Sequence, residues 1–134
     1  FNYKKYIKPL SEEEKLNRLI ATGENKNLEF KETFGYNKHH TEKIDIRLEK
    51  ASFKNIVAFL NTGGGVVLVG IKDNGDIMGL NEELEKFYSH YDNSPVDKFN
   101  LHLNDLFKTQ IGLEFTDLVE MQIVKVNNKF VLCL

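Results

Sequence analysis

The stretch Asn61-Thr-Gly-Gly-Gly-Val-Val-Leu-Val-Gly-Ile-Lys-Asp-Asn-Gly-Asp76 decides how the chain folds. Val66 to Ile71 is short, uncharged and rich in β-branched residues, and it follows a glycine cluster, a pattern that predicts a central strand covered on both faces. Asp73-Asn-Gly-Asp76 is a turn signal, so Ile77-Met-Gly-Leu80 is expected to return as its hairpin partner. Upstream, residues from about 43 to 61 carry apolar side chains at helical spacing, with Ile44, Leu48, Ala51, Val57, Ala58 and Leu60 expected to face inward. Residues 27–32 alternate Leu28 and Phe30 with Glu29 and Lys31, which predicts a short strand. Ser11-Glu-Glu-Glu14 fits a capping box and Gly23 a helix stop, giving a helix over roughly 11–21. Downstream, Asn81 opens a short helix through about Tyr91, and Ser94-Pro95 opens a second with Val96, Phe99, Leu103, Leu106 and Phe107 as its buried stripe and Gly112 as its end. Residues 118–126 and 129–134 flank Asn127-Asn128 as a closing hairpin. The order α-β-α-β-β-α-α-β-β implies an α+β fold, a mixed β-sheet with helices packed against it.

The 134 residues are expected to form a single domain, 1–134, because no repeat, low-complexity tract or proline-rich linker divides them. That length supports a core without staples, and a lone Cys133 with no zinc-spaced Cys/His set excludes a disulfide-built scaffold. The longest nearly uncharged apolar run, Ile56 to Ile71, is interrupted by Asn61 to Gly65, so a membrane-spanning helix is not expected. No leader peptide is visible, and the cytoplasm is the expected location. The chain begins at Phe1 and stops within Phe130-Val-Leu-Cys-Leu134, as expected of a domain cut from a longer protein. With 18 Lys+Arg against 20 Asp+Glu, the formal net charge of −2 gives no global attraction to nucleic acid, so such binding would need a local patch.

Two local features supply candidates. Lys43, Arg47, Lys50 and Lys54 recur at intervals of four, three and four, a row along one helix that suits contact with a phosphate backbone. Glu42, Asp45 and Glu49 in the same segment suit an ordinary solvated face equally well. Tyr3 and Tyr6 among Lys4, Lys5 and Lys8 have the composition of a base-stacking arm or of a frayed terminus. The second feature is acidic: Glu24 follows the helix stop, Glu29 lies on the first strand and Asp73 ends the apolar strand. In continuous strand Glu24 and Glu29 would be roughly 16 Å apart and on opposite faces, so sharing a site requires a turn between them, for which Asn25 and Asn27 are suited. Converging carboxylates repel unless a cation bridges them, and hard oxygen donors favour Mg²⁺ or Mn²⁺, with Lys31 available for a phosphate. The alternative is that these acids are solvated surface or caps.

Other motifs carry less. The glycine turn lacks the Gly-Lys-Ser/Thr ending of a P-loop, so ATP binding is not supported, and a tight helix-to-strand connection explains it more simply. His39 and His40 have no third ligand nearby, His90 and His102 look incidental, and Cys133 lies in an apolar strand without a catalytic histidine.

Glu24-Asn-Lys-Asn-Leu-Glu29-Phe-Lys31, Ile56 to Gly65, Val67 to Gly75 and Ile77 to Leu80, in that order, resemble the Schlafen AlbA-like domain. The resemblance implies a DNA-binding module found at the front of bacterial regulators, including transcriptional regulators, and helicase-like proteins. In the animal Schlafen proteins it implies a metal-dependent endoribonuclease with two glutamates at the positions of Glu24 and Glu29 and an aspartate at that of Asp73. Lys72 departs from the aspartate pair usual there. The animal nucleases join two such lobes into a clamp, so one lobe implies a homodimer or weak activity. The expected function is nucleic-acid binding within a larger protein, with alternatives of a Mg²⁺- or Mn²⁺-dependent endonuclease using Glu24, Glu29 and Asp73, and of a protein-interaction module.

Overall fold

A computed structural model describes residues 11–40, 42–89, 94–112 and 118–134. Among these, eight elements follow in order: helix α1 (Glu12–Ala21), strand β1 (Leu28–Lys31), helix α2 (Ile46–Asn61), strand β2 (Val66–Val69), helices α3 (Asn81–Tyr88) and α4 (Pro95–Gln110), and strands β3 (Gln122–Val126) and β4 (Lys129–Cys133). The fold is α+β with a mixed sheet in the order β1-β2-β4-β3. β1 and β2 run parallel, with Glu29 beside Val67 and Lys31 beside Val69, while β4 is antiparallel to both its neighbours.

Apolar residues on both faces of β2 create two cores. Val67 and Val69 join Phe34, Phe53, Ile56, Leu84, Phe99, Leu103 and Phe107 beneath α2, α3 and α4. Leu68 faces the other way and packs with Leu28, Phe30, Val124, Val126 and Val131 under Leu16 and Ile20 of α1. The result is three layers, with α1 on one side of the sheet and three helices on the other.

Local chemistry sets the ends of the elements. Ser11 Oγ accepts from Glu14 N at 3.1 Å, and Ser94 Oγ accepts from Asp97 N at 3.2 Å with Pro95 opening α4. Asn127 and Asn128 adopt φ of 49° and 64°, the left-handed pair that a two-residue hairpin turn requires. The expected closing strand over 118–126 is shorter, since only Gln122 to Val126 pair with β4.

The return of residues 77–80 is antiparallel but narrow. Ile71 and Ile77 form one bridge, and Met78 N and Gly79 N both donate to Gly70 O, at 2.8 and 2.9 Å. The segment then leaves β2 for β4, where Leu80 N donates to Phe130 O at 2.8 Å and Asn81 Oδ1 accepts from Phe130 N at 2.9 Å. Glycine is needed at this crossing, because a Cβ on Gly79, at φ 74°, would lie 2.7 Å from Lys129 Cβ.

The inward face of α2 differs from the one its periodicity suggests. Glu49, Ser52, Phe53 and Ile56 are buried, whereas Val57 is 40% exposed and Ala58 is exposed. Ile44, Leu48, Ala51 and Leu60 lie half-buried at the margins, Ile44 ahead of the helix. Phe53 decides the phase: its ring meets Phe34 and Phe107 edge-on at 6.0 and 5.2 Å between centroids, and that aromatic burial outweighs the smaller aliphatic residues. Ile56→Ala is therefore expected to lower unfolding free energy by about 2–5 kcal/mol, and Val57→Ala by less than about 1 kcal/mol, in urea titration. Equal costs at the two positions would contradict this rotation of the helix.

Candidate functional site

Glu24 does fold back. Asn25 and Leu28 exchange backbone hydrogen bonds at 3.0 and 3.1 Å, and Asn25 Oδ1 accepts from Asn27 N at 2.8 Å, so the chain reverses between the two glutamates. The reversal lets Glu24 Oε1 accept from Phe30 N at 2.8 Å. β1 pairs with β2 through Asn27 O and Lys31 O, so the Phe30 amide points to the other edge of the strand, and Glu24 lies along that edge. The asparagine-rich turn anticipated from sequence is thus present.

Glu29 and Lys31 share the face of β1 opposite Leu28 and Phe30, and they form a partly exposed ion pair at 3.8 Å. Asp73 is exposed in the tight turn after β2, where Lys72 N donates to Asp76 O at 2.9 Å and Gly75 N to Lys72 O at 2.8 Å. Among the described residues, no group of three or more His, Cys, Asp or Glu side chains is arranged to hold a metal ion. The donor chemistry of Glu24, Glu29 and Asp73 suits a hard divalent cation, yet the two glutamates are engaged with the Phe30 amide and with Lys31.

The basic row is exposed throughout, but only part of it is helical. Lys43 precedes α2, whose N-cap is Asp45. Asp45 accepts from Arg47 N at 2.9 Å and pairs with the Arg47 guanidinium at 3.3 Å. The Asn37 amide, followed by Arg47, holds the Asp45 carboxyl down to about 2. Arg47 is thus partly neutralised, while Lys50 and Lys54 join no ion pair among the described residues. At the N-terminal end of this row a hollow of about 650 Å³ has a lining of mixed charge, with His39, His40, Lys43 and Arg47 together with Glu42 and Asp45 beside the exposed Ile46. Tyr3, Tyr6, Lys4, Lys5, Lys8 and His90 lie outside the described residues.

The glycine turn serves the end of α2, with Gly64 N donating to Phe59 O at 2.7 Å. Burial pushes the Cys133 thiol up to about 11, which keeps it protonated at neutral pH. No helix among the described residues is long and apolar enough to cross a membrane.

The family whose model matches the chain suggests a nucleic-acid-related domain. The family model for Schlafen, AlbA_2 matches residues 24–134, and the chain belongs to that family. No curated protein and no solved structure matches it.

Sequence reading passed over a second polar group. Glu83 and Glu49 are buried, 2% and 4% exposed, and His102 Nε2 lies 2.6 Å from Glu49 Oε2. A helix-spaced glutamate normally reads as surface, and the available signal was positional: Glu49 sits three and four residues before Ser52 and Phe53, on the face that Phe53 buries. At the carboxylate edge, Glu24→Ala is expected to lower stability by about 1 kcal/mol through loss of the acceptor for Phe30 N, while Asp73→Ala stays within about 0.5 kcal/mol. Urea denaturation of the two variants measures both, and a Glu24→Ala effect no larger than that of Asp73→Ala would contradict the assigned hydrogen bond.

Proposed function

We propose that the domain binds nucleic acid through the basic face of α2. Lys50 and Lys54 form the centre of this face, Lys43 and Arg47 its N-terminal end, and Lys31 a further phosphate contact. The observation that supports this reading most directly is that Lys50 and Lys54 are exposed, free of acidic partners among the described residues, and fixed on a 16-residue helix. A chain of net charge −2 contributes little long-range attraction, so binding rests on these few contacts and weakens steeply with salt. In fluorescence titrations against single-stranded and duplex nucleic acid, the double variant Lys50→Glu/Lys54→Glu is expected to bind more weakly across all sequences. Its log–log salt slope should fall by about 2, roughly one per lysine. Wild-type affinity insensitive to salt, or an unchanged slope in the double variant, would reject this face as the contact surface.

A second reading, a divalent-metal-dependent endonuclease for RNA or single-stranded nucleic acid, draws support from the Asn25–Leu28 turn that returns Glu24 to β1. Glu24, Glu29 and Asp73 would hold Mg²⁺ or Mn²⁺, which supplies an activated water when bound. Glu24 must exchange its Phe30 amide for the ion, and Glu29 must loosen its pairing with Lys31. Incubation with transfer RNA in Mn²⁺ or in EDTA tests this reading: Mn²⁺-dependent cutting lost in Asp73→Asn, with affinity retained, is the expected result. Binding without cutting leaves the binding module alone, and absence of both points to a protein-interaction role.

A further inference from the structure

The buried acids converge on one turn. Beyond β1 the chain bends at Phe34 and Gly35, and Glu83, from the first turn of α3, accepts from both backbone amides: Phe34 N to Oε1 at 3.0 Å and Gly35 N to Oε2 at 2.8 Å. Glu49 of α2 packs on the same turn, since a Cβ on Gly35 would lie 3.1 Å from Glu49 Cγ and 2.9 Å from Ile44 Cγ2. Gly35 O in turn accepts from Asp45 N at 2.8 Å, at the N-cap of α2. From α4, His102 closes the group through its contact with Glu49. Three helices are therefore tied to one backbone turn through two buried carboxylates and an imidazole.

We propose that Glu83, packed in one buried group with Glu49 and His102, acts as a proton-set latch: with a proton on Glu83 the Phe34–Gly35 turn stays fastened between α2, α3 and α4, and without that proton the turn gives way. Burial penalises the Glu83 charge and a second carboxylate, that of Glu49, packs on the same turn, so Glu83 favours its protonated form. Desolvation accordingly pushes Glu83 up to about 7, with Glu49 adding to the rise and the Gly35 and Phe34 amides and His102 opposing it. Burial also raises the phenol of Tyr88, next to Glu83 and Glu49, so it stays neutral at the pH values that matter. Ser52 is buried on the same face of α2 as Glu49, and further charged side chains lie at the rim. Glu82 accepts from Tyr36 OH at 2.9 Å, and Glu32 and Lys38 flank the cleft into which Glu83 opens.

The direction of the effect follows. A carboxyl whose folded value exceeds its unfolded value holds more protons in the native state, so stability is full below the unfolded value of about 4.5, falls as pH rises towards about 7, and is level above that. Relief comes from openings that bring Glu83 to water, which release Phe34 and Gly35 first because Glu83 sits at the start of α3, beside the cleft. The latch depends on this buried group and not on the nucleic-acid reading.

Urea unfolding from about pH 5 to about pH 7.5 tests it. The wild-type midpoint is expected to fall across this range, and that of Glu83→Gln, which keeps the shape and one acceptor, to stay level. A flat or rising wild-type midpoint, or an undiminished slope in Glu83→Gln, overturns the proposal. If Glu83→Gln does not fold, calorimetry of the wild-type protein in two buffers of different ionisation enthalpy decides: unfolding at about pH 6 should release about one proton, and release of none overturns the proposal. Amide exchange, corrected for its intrinsic pH dependence, should show protection at Phe34 and Gly35 dropping more than at Leu68 as pH rises. Equal losses at all three would remove the local character of the latch.

Discussion

Everything in this fold is arranged around a strand that has no solvent face. Val67 and Val69 point to one side of β2 and Leu68 and Ile71 to the other, all fully buried, so each side of the sheet needs its own cover. Three helices supply one cover and α1 the other. The parallel crossover from β1 through α2 to β2 follows from the same demand, because α2 must lie over the face that Val67 and Val69 present. The candidate carboxylates then fall where β1 and β2 meet loops, on the rim of this buried unit. Rigid strands position them without requiring that they be buried.

The strands were the most legible part of the sequence, because alternation has a period of two and β1 contains only one consistent assignment: Leu28 and Phe30 inward to α1, Glu29 and Lys31 away. Capping residues and the Asn127-Asn128 turn marked ends for equally local reasons. The face of α2 was less legible. Its apolar residues are spread widely enough to support two phases, and only the partners of Phe53, which come from distant parts of the chain, choose between them. Likewise the departure of residues 77–80 towards β4 depends on Phe130, some fifty residues later.

The site divides in the same way. The reversal between Glu24 and Glu29 was written in the asparagines between them, a short-range signal. What those carboxylates touch was not, because the partners are a backbone amide and a lysine whose availability depends on strand pairing. Glu83 was hidden for a sharper reason. Glutamate in a helix is overwhelmingly a surface residue, and nothing near Glu83 in sequence announces that the amides of Phe34 and Gly35 find their acceptor there. Burying such groups is costly, and the structure offsets that cost with two backbone donors and an imidazole.

The family match opens at residue 24, whereas α1 ends at Ala21. Leu16 and Ile20 nevertheless pack with Leu28, Leu68 and Val131 of β1, β2 and β4. A polypeptide trimmed to the recognisable boundary would keep its ancestry and lose its roof, leaving a greasy β-surface ready to stick to its neighbours. Shared descent and physical self-sufficiency are thus delimited at different points along this chain, and the upstream helix belongs to the second.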